Sequence, residues 1–161
     1  AYAMVIGLVG SEMCIRDRVE ITKKEGAKVL LGGKRPSGFN KGYFYEPTIF
    51  DNVKDNFTIM KEEPFGPLVP VLSFKSFEEV VDRANNNDLG LCSYIYTNSM
   101  DQANRASELM ETGTVAVNTA AVAVAEAPFG GIKQTVYCRE GGSSAIKDYL
   151  NVKYTHLGLK I

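Results

Sequence analysis

The chain has 161 residues, of which 45% are hydrophobic and 23% charged, a composition typical of a folded globular domain. Its formal net charge of −1 argues against a nucleic-acid partner, because nucleic-acid-binding domains carry an excess of Lys and Arg. No apolar stretch reaches the roughly 20 residues of a membrane-spanning helix. These properties predict one ordinary domain with its own hydrophobic core and no membrane segment.

The three cysteines, Cys14, Cys92 and Cys138, are far apart and form no Cys-x-x-Cys pair. This spacing indicates neither a disulfide framework nor a zinc site, so no metal ligand is predicted. Reduced cysteines favour a cytoplasmic location.

The first 18 residues are expected to differ in origin from the rest. Residues 8–18 read LVGSEMCIRDR and match one reading frame of a common transposon-type sequencing adapter. We interpret residues 1–18 as an adapter-derived segment fused to a truncated reading frame, in which Cys14 has no function. The alternative is a natural amphipathic N-terminal helix. A single genomic template that contains the codons for Arg18 and Val19 would contradict the adapter interpretation.

Extended and helical patterns alternate along the rest of the chain. Five stretches rich in β-branched or aromatic residues predict strands: GAKVLLGGK, YFYEPTIF, PLVPVLSF, CSYIYT and TVAVN. Between them, apolar residues at helical spacing predict a helix in SFEEVVDRANNN, and SMDQANRASELMETG is also expected to be helical. This order predicts an α/β fold with a parallel sheet, in which ligands collect beyond the carboxyl ends of the strands.

Local pairs of residues predict where the two helices begin and end. Ser76 with Glu79, and Ser99 with Gln102, have the spacing of a capping box at a helix N-terminus. Gly113 fits the residue that stops a helix at its C-terminus. A long irregular loop is expected over residues 119–142, followed by a short helix in SSAIKDYL and a last strand in VKYTHLGL.

Two loop motifs next to predicted strands contain the candidate functional residues. EEPFGP, residues 62–67, precedes one strand, and APFGGIKQ follows TVAVN. From the residues alone, Glu62 and Glu63 allow several interpretations: general acid/base catalysis, a metal site, carboxylates that bind hydroxyl groups, or two exposed charges on a turn.

Four motifs in order resemble the aldehyde dehydrogenase superfamily: Glu62–Pro67, Leu89–Leu91, Gly113–Asn118 and Pro128–Lys133. The resemblance covers about residues 20–161. It implies that residues 19–142 form the C-terminal half of the catalytic domain, a mostly parallel open sheet with flanking helices. Residues 143–161 would add a C-terminal helix and a strand used for oligomerisation.

The resemblance also assigns roles to three side chains. Glu63 matches the acid that accepts hydrogen bonds from the nicotinamide ribose, and Phe65 matches the aromatic residue beside the nicotinamide ring. Phe129 matches an aromatic residue that lines the aldehyde tunnel. An exposed acidic turn remains the alternative for Glu63, and a packed loop residue remains the alternative for Phe129. Asn118 is expected to close the end of its strand rather than to contact substrate.

The implied reaction is NAD- or NADP-dependent oxidation of an aldehyde to a carboxylate by a longer, homo-oligomeric parent protein. The tail of the chain is most like that of succinate-semialdehyde dehydrogenases. The family's catalytic cysteine, glutamate base and oxyanion asparagine have no match here, so no catalytic residue is predicted and the chain alone is expected to be inactive. A non-enzymatic α/β interaction or assembly module is the alternative.

One loop departs from the family pattern. Where family members usually read Lys-x-Ser-Gly-x-Gly-Arg-Glu, this chain reads KQTVYCRE, so Val136 and Cys138 stand at glycine positions. Valine is unfavourable where φ is positive. Either the loop has a different conformation, or these positions are altered in the sequence.

Overall fold

The computed structural model describes residues 12–39, 41–136 and 138–158, with side chains from Cys14 onward. The chain divides into two compact units, Ala1–Phe74 and Lys75–Ile161. Within the described ranges, no helix combines the length and the apolar character that a membrane crossing requires.

The first unit is a small sheet with two helices. Its elements are α1 (Glu12–Lys24), β1 (Lys28–Leu31), β2 (Thr48–Asp51), α2 (Thr58–Lys61) and β3 (Leu68–Pro70). The strand order is β1-β2-β3, with β1 antiparallel to β2 and β2 parallel to β3. The β2–β3 pair is therefore parallel, as the sequence predicted for the sheet.

The core of this unit forms between α1 and the sheet. Phe50 of β2 and Val19 of α1 are fully buried, and Ile15, one helical turn before Val19, is also buried. Ile15 belongs to the segment that matches the adapter. The origin of that segment is a question of nucleotide sequence and stays a prediction.

The second unit has two helices, two small sheets and a terminal 3₁₀ helix. Its elements are α3 (Phe77–Asn85), β4 (Leu89–Gly90), β5 (Cys92–Ile95), α4 (Met100–Leu109), β6 (Thr114–Val117), β7 (Ile132–Lys133) and the 3₁₀ helix Ala145–Tyr149. Strands β5 and β6 are parallel, and β4 pairs antiparallel with β7. The α/β fold class is confirmed, with parallel and antiparallel pairs both present among the described strands.

Both predicted helix starts are confirmed. The Ser76 hydroxyl accepts a hydrogen bond from the Glu79 N–H at 3.1 Å, and the Ser99 hydroxyl accepts one from the Gln102 N–H at 3.3 Å. The predicted helix stop at Gly113 is wrong, because α4 ends at Leu109 and its C-cap is Met110. Gly113 instead lies immediately before β6, where its backbone packs closely against that of Gly130.

Two predictions about the last third of the chain need correction. The region 119–142 is not wholly irregular, since it contains β7 and a bridge between Phe129 and Glu140. Residues 151–158 form no strand in this single chain, because a strand requires a partner backbone for its hydrogen bonds. The pairing of this tail with another subunit stays a prediction.

Candidate functional site

The turn that contains Glu63 and Phe65 is held in place at both ends. Before the turn, the Glu25 carboxylate accepts hydrogen bonds from the Thr58 N–H at 3.0 Å and from the Thr58 hydroxyl at 2.6 Å, which fixes the start of α2. After the turn, Leu68 is buried as β3 begins. Sequence reasoning missed Glu25, and no local pattern could have shown it, because 33 residues separate it from Thr58.

The two adjacent glutamates have different surroundings. Glu62 accepts a hydrogen bond from the Arg18 guanidinium at 2.5 Å as part of an ion pair. The Glu63 carboxylate is exposed and forms no hydrogen bond or ion pair with any residue that the structure describes. Two residues further on, the Phe65 ring is 61% exposed. The turn thus exposes to solvent the unpaired carboxylate of Glu63 and, two residues later, the aromatic ring of Phe65.

Glu63 and Phe65 also share a concave surface. A cavity of about 220 Å³ is lined by Glu63, Pro64 and Phe65 on the turn and by Cys14 and Arg18 on α1. This volume is below the roughly 300 Å³ at which ligand pockets usually begin. The cavity could therefore take one end of a dinucleotide but could not enclose the whole molecule.

Three of the four sequence motifs pack together in the second unit through their glycines. The Gly113 N–H donates to the Gly90 carbonyl at 3.0 Å, and Gly90 pairs with Ile132 across β4 and β7. A Cβ atom at Gly113 would overlap the carbonyl oxygen of Gly130, and one at Gly90 would lie 2.6 Å from the Glu111 carbonyl oxygen. Glycine is required at these positions because backbone meets backbone without space for a side chain.

The backbone around Phe129 is fixed by this packing and by polar contacts. Phe129 and Glu140 exchange two backbone hydrogen bonds of 2.7 and 2.8 Å. Arg139 donates from its guanidinium to the Gly131 carbonyl at 2.5 Å. The Phe129 side chain is half-buried, which fits both a packed loop residue and a surface that a small ligand touches.

Lys133 holds the same loop to the end of α3. Its ammonium group donates to the carbonyls of Asn85 and Asn87 at 2.7 and 3.0 Å and forms an ion pair with Glu111 at 2.7 Å. A cation is favourable at a helix C-terminus, where carbonyl groups lack partners. Sequence reasoning used Lys133 only as part of a motif and missed this role.

Comparison with known proteins identifies the family to which these motifs belong. The sequence model of the aldehyde dehydrogenase family matches residues 12–155. The chain belongs to the aldehyde dehydrogenase family. Human retinaldehyde dehydrogenase 3 is 45% identical over 86% of this chain, and aldehyde dehydrogenase 1A1 of Oryctolagus cuniculus is 46% identical over the same share. The chain covers 27% and 28% of those two proteins.

Solved structures of aldehyde dehydrogenases have the same local fold. An NAD+ complex of the aldehyde dehydrogenase from Bacillus cereus superposes with a TM-score of 0.86 at 42% identity, over 92% of this chain and 30% of that one. The succinate-semialdehyde dehydrogenase from Burkholderia pseudomallei gives 0.80 at 37% identity, over 86% and 28%. The chain therefore spans between a quarter and a third of the length of these relatives.

Two cysteines of this aldehyde dehydrogenase chain, Cys92 and Cys138, differ in their exposure to solvent. Cys92 is half-buried in β5. The pKa of the Tyr94 hydroxyl in the same strand is raised, mainly by its burial and to a smaller extent by Cys92. Cys138 is exposed. Val136 has no positive φ, so the backbone at that position accommodates a side chain. Among the described residues, no cluster of three or more His, Cys, Asp or Glu could hold a metal ion.

Proposed function

We propose that this chain is the C-terminal part of an aldehyde dehydrogenase that oxidises an aldehyde to a carboxylate with NAD or NADP. The observation that carries the proposal is the unpaired Glu63 carboxylate beside the exposed Phe65 ring, on a turn whose two ends are fixed. The 42% sequence identity between this chain and the Bacillus cereus aldehyde dehydrogenase, whose structure is an NAD+ complex, supports the same proposal.

Glu63 and Phe65 would bind the nicotinamide end of the cofactor. A carboxylate has two oxygens and accepts hydrogen bonds only, so it suits the two neighbouring hydroxyl groups of a ribose. The exposed Phe65 ring offers an apolar surface to a flat heterocycle. When bound, the cofactor would accept the hydride. The two residues of this chain would hold its reactive ring in one orientation, which lowers the cost of reaching the reactive geometry.

Phe129 would line the path of the aldehyde, and the nucleophile would come from another part of the parent protein. Covalent catalysis by cysteine requires a thiolate made accessible by its surroundings. Cys92 lies within a strand, and the only histidine, His156, contacts Tyr154 instead, at 3.1 Å between Nδ1 and the hydroxyl oxygen. We assign no catalytic role to either group.

We extend this proposal to the substrate, the location and the oligomeric state of the parent protein. The substrate that we propose first is succinate semialdehyde, because of the resemblance of the tail and because a structural neighbour at 37% identity bears that name. We also propose a cytoplasmic homo-oligomer as the parent protein. A non-enzymatic assembly module is the competing function, and the same experiment separates the two.

A chimeric enzyme tests the proposed function. Residues 19–161 replace the corresponding part of the Bacillus cereus aldehyde dehydrogenase, which this chain matches at 42% identity. With NAD+ or NADP+, the chimera is expected to form reduced cofactor, followed at 340 nm, from succinate semialdehyde, acetaldehyde or hexanal. The isolated chain of 161 residues is expected to form none.

Two controls accompany this assay. The host enzyme without its C-terminal part should be inactive, which shows that the activity depends on the grafted residues. Circular dichroism should show that the chimera is folded. A folded chimera that forms no reduced cofactor with any of these aldehydes would contradict the proposed function and favour the assembly module. Activity with acetaldehyde or hexanal but not succinate semialdehyde would contradict only the proposed substrate.

A further inference from the structure

Helix α2 (Thr58–Lys61) leads directly into the turn that contains Glu63 and Phe65. The C-cap of α2 is Glu62, whose N–H donates to the Thr58 carbonyl at 3.0 Å. The backbone immediately before Glu63 is thus bonded to the first residue of the helix. A helix of four residues is too short to be stable without contacts to other segments, so those contacts decide where the turn begins.

The N-terminus of α2 has no cap from its own N-cap residue. That residue is Phe57, whose side chain makes no capping hydrogen bond. Phe57 is 5% exposed and packs in the core of the first unit. Helices usually begin at Ser, Thr, Asp or Asn, whose side-chain oxygen accepts from the first N–H groups. Because an apolar ring fills this position, a polar group from another segment has to supply the cap.

The Glu25 carboxylate supplies this cap. Its two oxygens accept from the Thr58 N–H at 3.0 and 3.1 Å, and one of them accepts from the Thr58 hydroxyl at 2.6 Å. Glu25 follows the last residue of α1, and its own N–H donates to the Ile21 carbonyl at 3.0 Å. Val19 and Thr22 of the same helix are fully buried, so α1 gives Glu25 a fixed support.

A continuous path of hydrogen bonds therefore runs from α1 to the candidate site. Glu25 binds Thr58, the Thr58 carbonyl binds the Glu62 N–H, and Glu63 is the next residue. Glu63 and Phe65 line one cavity, and their use by a single cofactor requires that both stay in place. The position of Glu25 on α1 is thus linked to the positions of both side chains.

We propose that Glu25 is a positioning residue for the cofactor: it fixes α2, and with it the Glu63 carboxylate and the Phe65 ring, in the position that receives the nicotinamide end. The inference rests on the proposed function. Without Glu25, both side chains would still be present, but the turn that carries them would move. The cofactor would then be held in several orientations, which weakens its binding and slows hydride transfer. Aldehyde binding would change little, because Phe129 belongs to the other unit.

Glu25→Ala is the main variant because it removes every contact of this carboxylate with Thr58. Glu25→Gln keeps one oxygen that can accept from Thr58 and loses the charge, so its effect should be smaller. It also serves as the test variant if Glu25→Ala does not fold. Glu20→Ala is the matched control, since Glu20 is another glutamate of α1 and its side chain binds Lys23 of the same helix.

Cofactor binding and hydride transfer are measured in the chimera that contains residues 19–161. In Glu25→Ala we expect the KM for NAD+ to rise and the first turnover of reduced-cofactor formation to slow, each by about tenfold, the scale of one hydrogen bond to a charged group. The KM for acetaldehyde should change little. Glu25→Gln should lie between Glu25→Ala and the parent, and Glu20→Ala should match the parent. Circular dichroism and urea midpoints establish that each variant is folded under the assay conditions.

A double variant distinguishes positioning from a general loss of stability. If Glu25 acts through Glu63, adding Glu25→Ala to Glu63→Gln should slow the first turnover by a smaller factor than in the parent chimera, because part of the interaction that Glu25 supports is already lost. A general loss of stability would lower the rate by the same factor in both backgrounds. In the full 161-residue chain, hydrogen exchange of the Thr58 and Glu62 amides should become faster in Glu25→Ala and not in Glu20→Ala.

The outcomes separate this inference from the proposed function. An active chimera whose KM for NAD+ and first-turnover rate are unchanged by Glu25→Ala would contradict the inference and leave the proposed function standing. An equal change in Glu20→Ala, or equal factors in the two backgrounds, would also contradict it, because the effect would not pass through Glu63. A folded chimera that is inactive before any of these substitutions would contradict the proposed function and the inference together.

Discussion

At the scale of single residues, Glu62 and Glu63 show how adjacent identical side chains can differ in role. The sequence places two carboxylates side by side and cannot show which is free. In the folded chain, Glu62 pairs with Arg18, 44 residues away along the chain, whereas Glu63 has no partner among the described residues. Only the fold determines which carboxylate remains available to a ligand.

Gly113 gives the first stability prediction at this scale. In Gly113→Ala, the new Cβ would overlap the Gly130 carbonyl oxygen, so the loop that holds Phe129 must shift. We expect the free energy of unfolding to fall by about 1–3 kcal/mol, as for other overpacked sites. Urea denaturation of the whole chain, followed by circular dichroism, measures this change.

Gly158→Ala is the control for that experiment. A Cβ at Gly158 would meet no described atom within 4 Å, and its φ is not positive, so its unfolding midpoint should match that of the parent. An unchanged midpoint in Gly113→Ala would show that backbone contact between the two motifs is not as tight as the structure indicates.

At the scale of elements, local patterns were predictable and long-range pairings were not. The helix starts at Ser76 and Ser99 follow from contacts between residues three apart, which the sequence displays directly. The pairing of β4 with β7 depends on residues more than 40 apart, such as Leu89 and Lys133. The local sequence predicts a helix end at Gly113 because the contact of Gly113 with Gly130, 17 residues later, leaves no local pattern.

The contact between α3 and α4 leads to a pH-dependent prediction. The Arg105 guanidinium donates to Glu78 at 3.0 Å and lies 4.6 Å from the centre of the Phe77 ring. The backbone hydrogen bond at Glu78 and then Arg105 lower the pKa of this carboxyl below its ordinary value of 4.5. A lowered folded-state pKa means that ionised Glu78 stabilises the fold above about pH 4.5 and that this contribution is lost as the pH falls through the folded-state pKa.

Glu78→Gln should therefore be less stable than the parent at pH 7, with a difference that shrinks as the pH is lowered below 4.5. The effect should be small, because the pair is exposed to solvent. Urea midpoints at several pH values measure it, with Glu126→Gln as a control. Glu126 is exposed and has no hydrogen bond or ion pair with a described residue. A difference that is independent of pH would rule out the ion pair as its source.

At the scale of the whole molecule, the C-terminal tail exposes a series of large apolar side chains to solvent. These side chains are Tyr149, Leu150, Val152, Tyr154 and Leu157. Exposed apolar side chains in one segment favour association with another chain. We expect the isolated chain to dimerise or aggregate, and deletion of residues 151–161 to reduce this. A monodisperse monomer in light scattering, with the tail present, would contradict the expectation.

Family membership and the part of the fold that holds the candidate site could both be inferred from sequence because the motifs keep their order and spacing. The candidate residues divide between the two units, with Glu63 and Phe65 in the first and Phe129 in the second. The side chains that hold these residues in place could not be inferred from the sequence. They are Glu25, Lys133 and Arg139. Each of them acts through backbone groups of another segment, and such contacts leave no periodic pattern.

The central claim is that Glu63 of this chain orients the cofactor for hydride transfer, and single-turnover kinetics of the chimera test it most directly. We predict that Glu63→Gln slows the first turnover of reduced-cofactor formation by on the order of tenfold, the effect of losing about 1.5 kcal/mol from a hydrogen bond to a charged group. Aldehyde KM should change little, and Glu62→Gln, the adjacent control, should keep the parent rate. Equal first-turnover rates in Glu63→Gln and the parent would contradict the account.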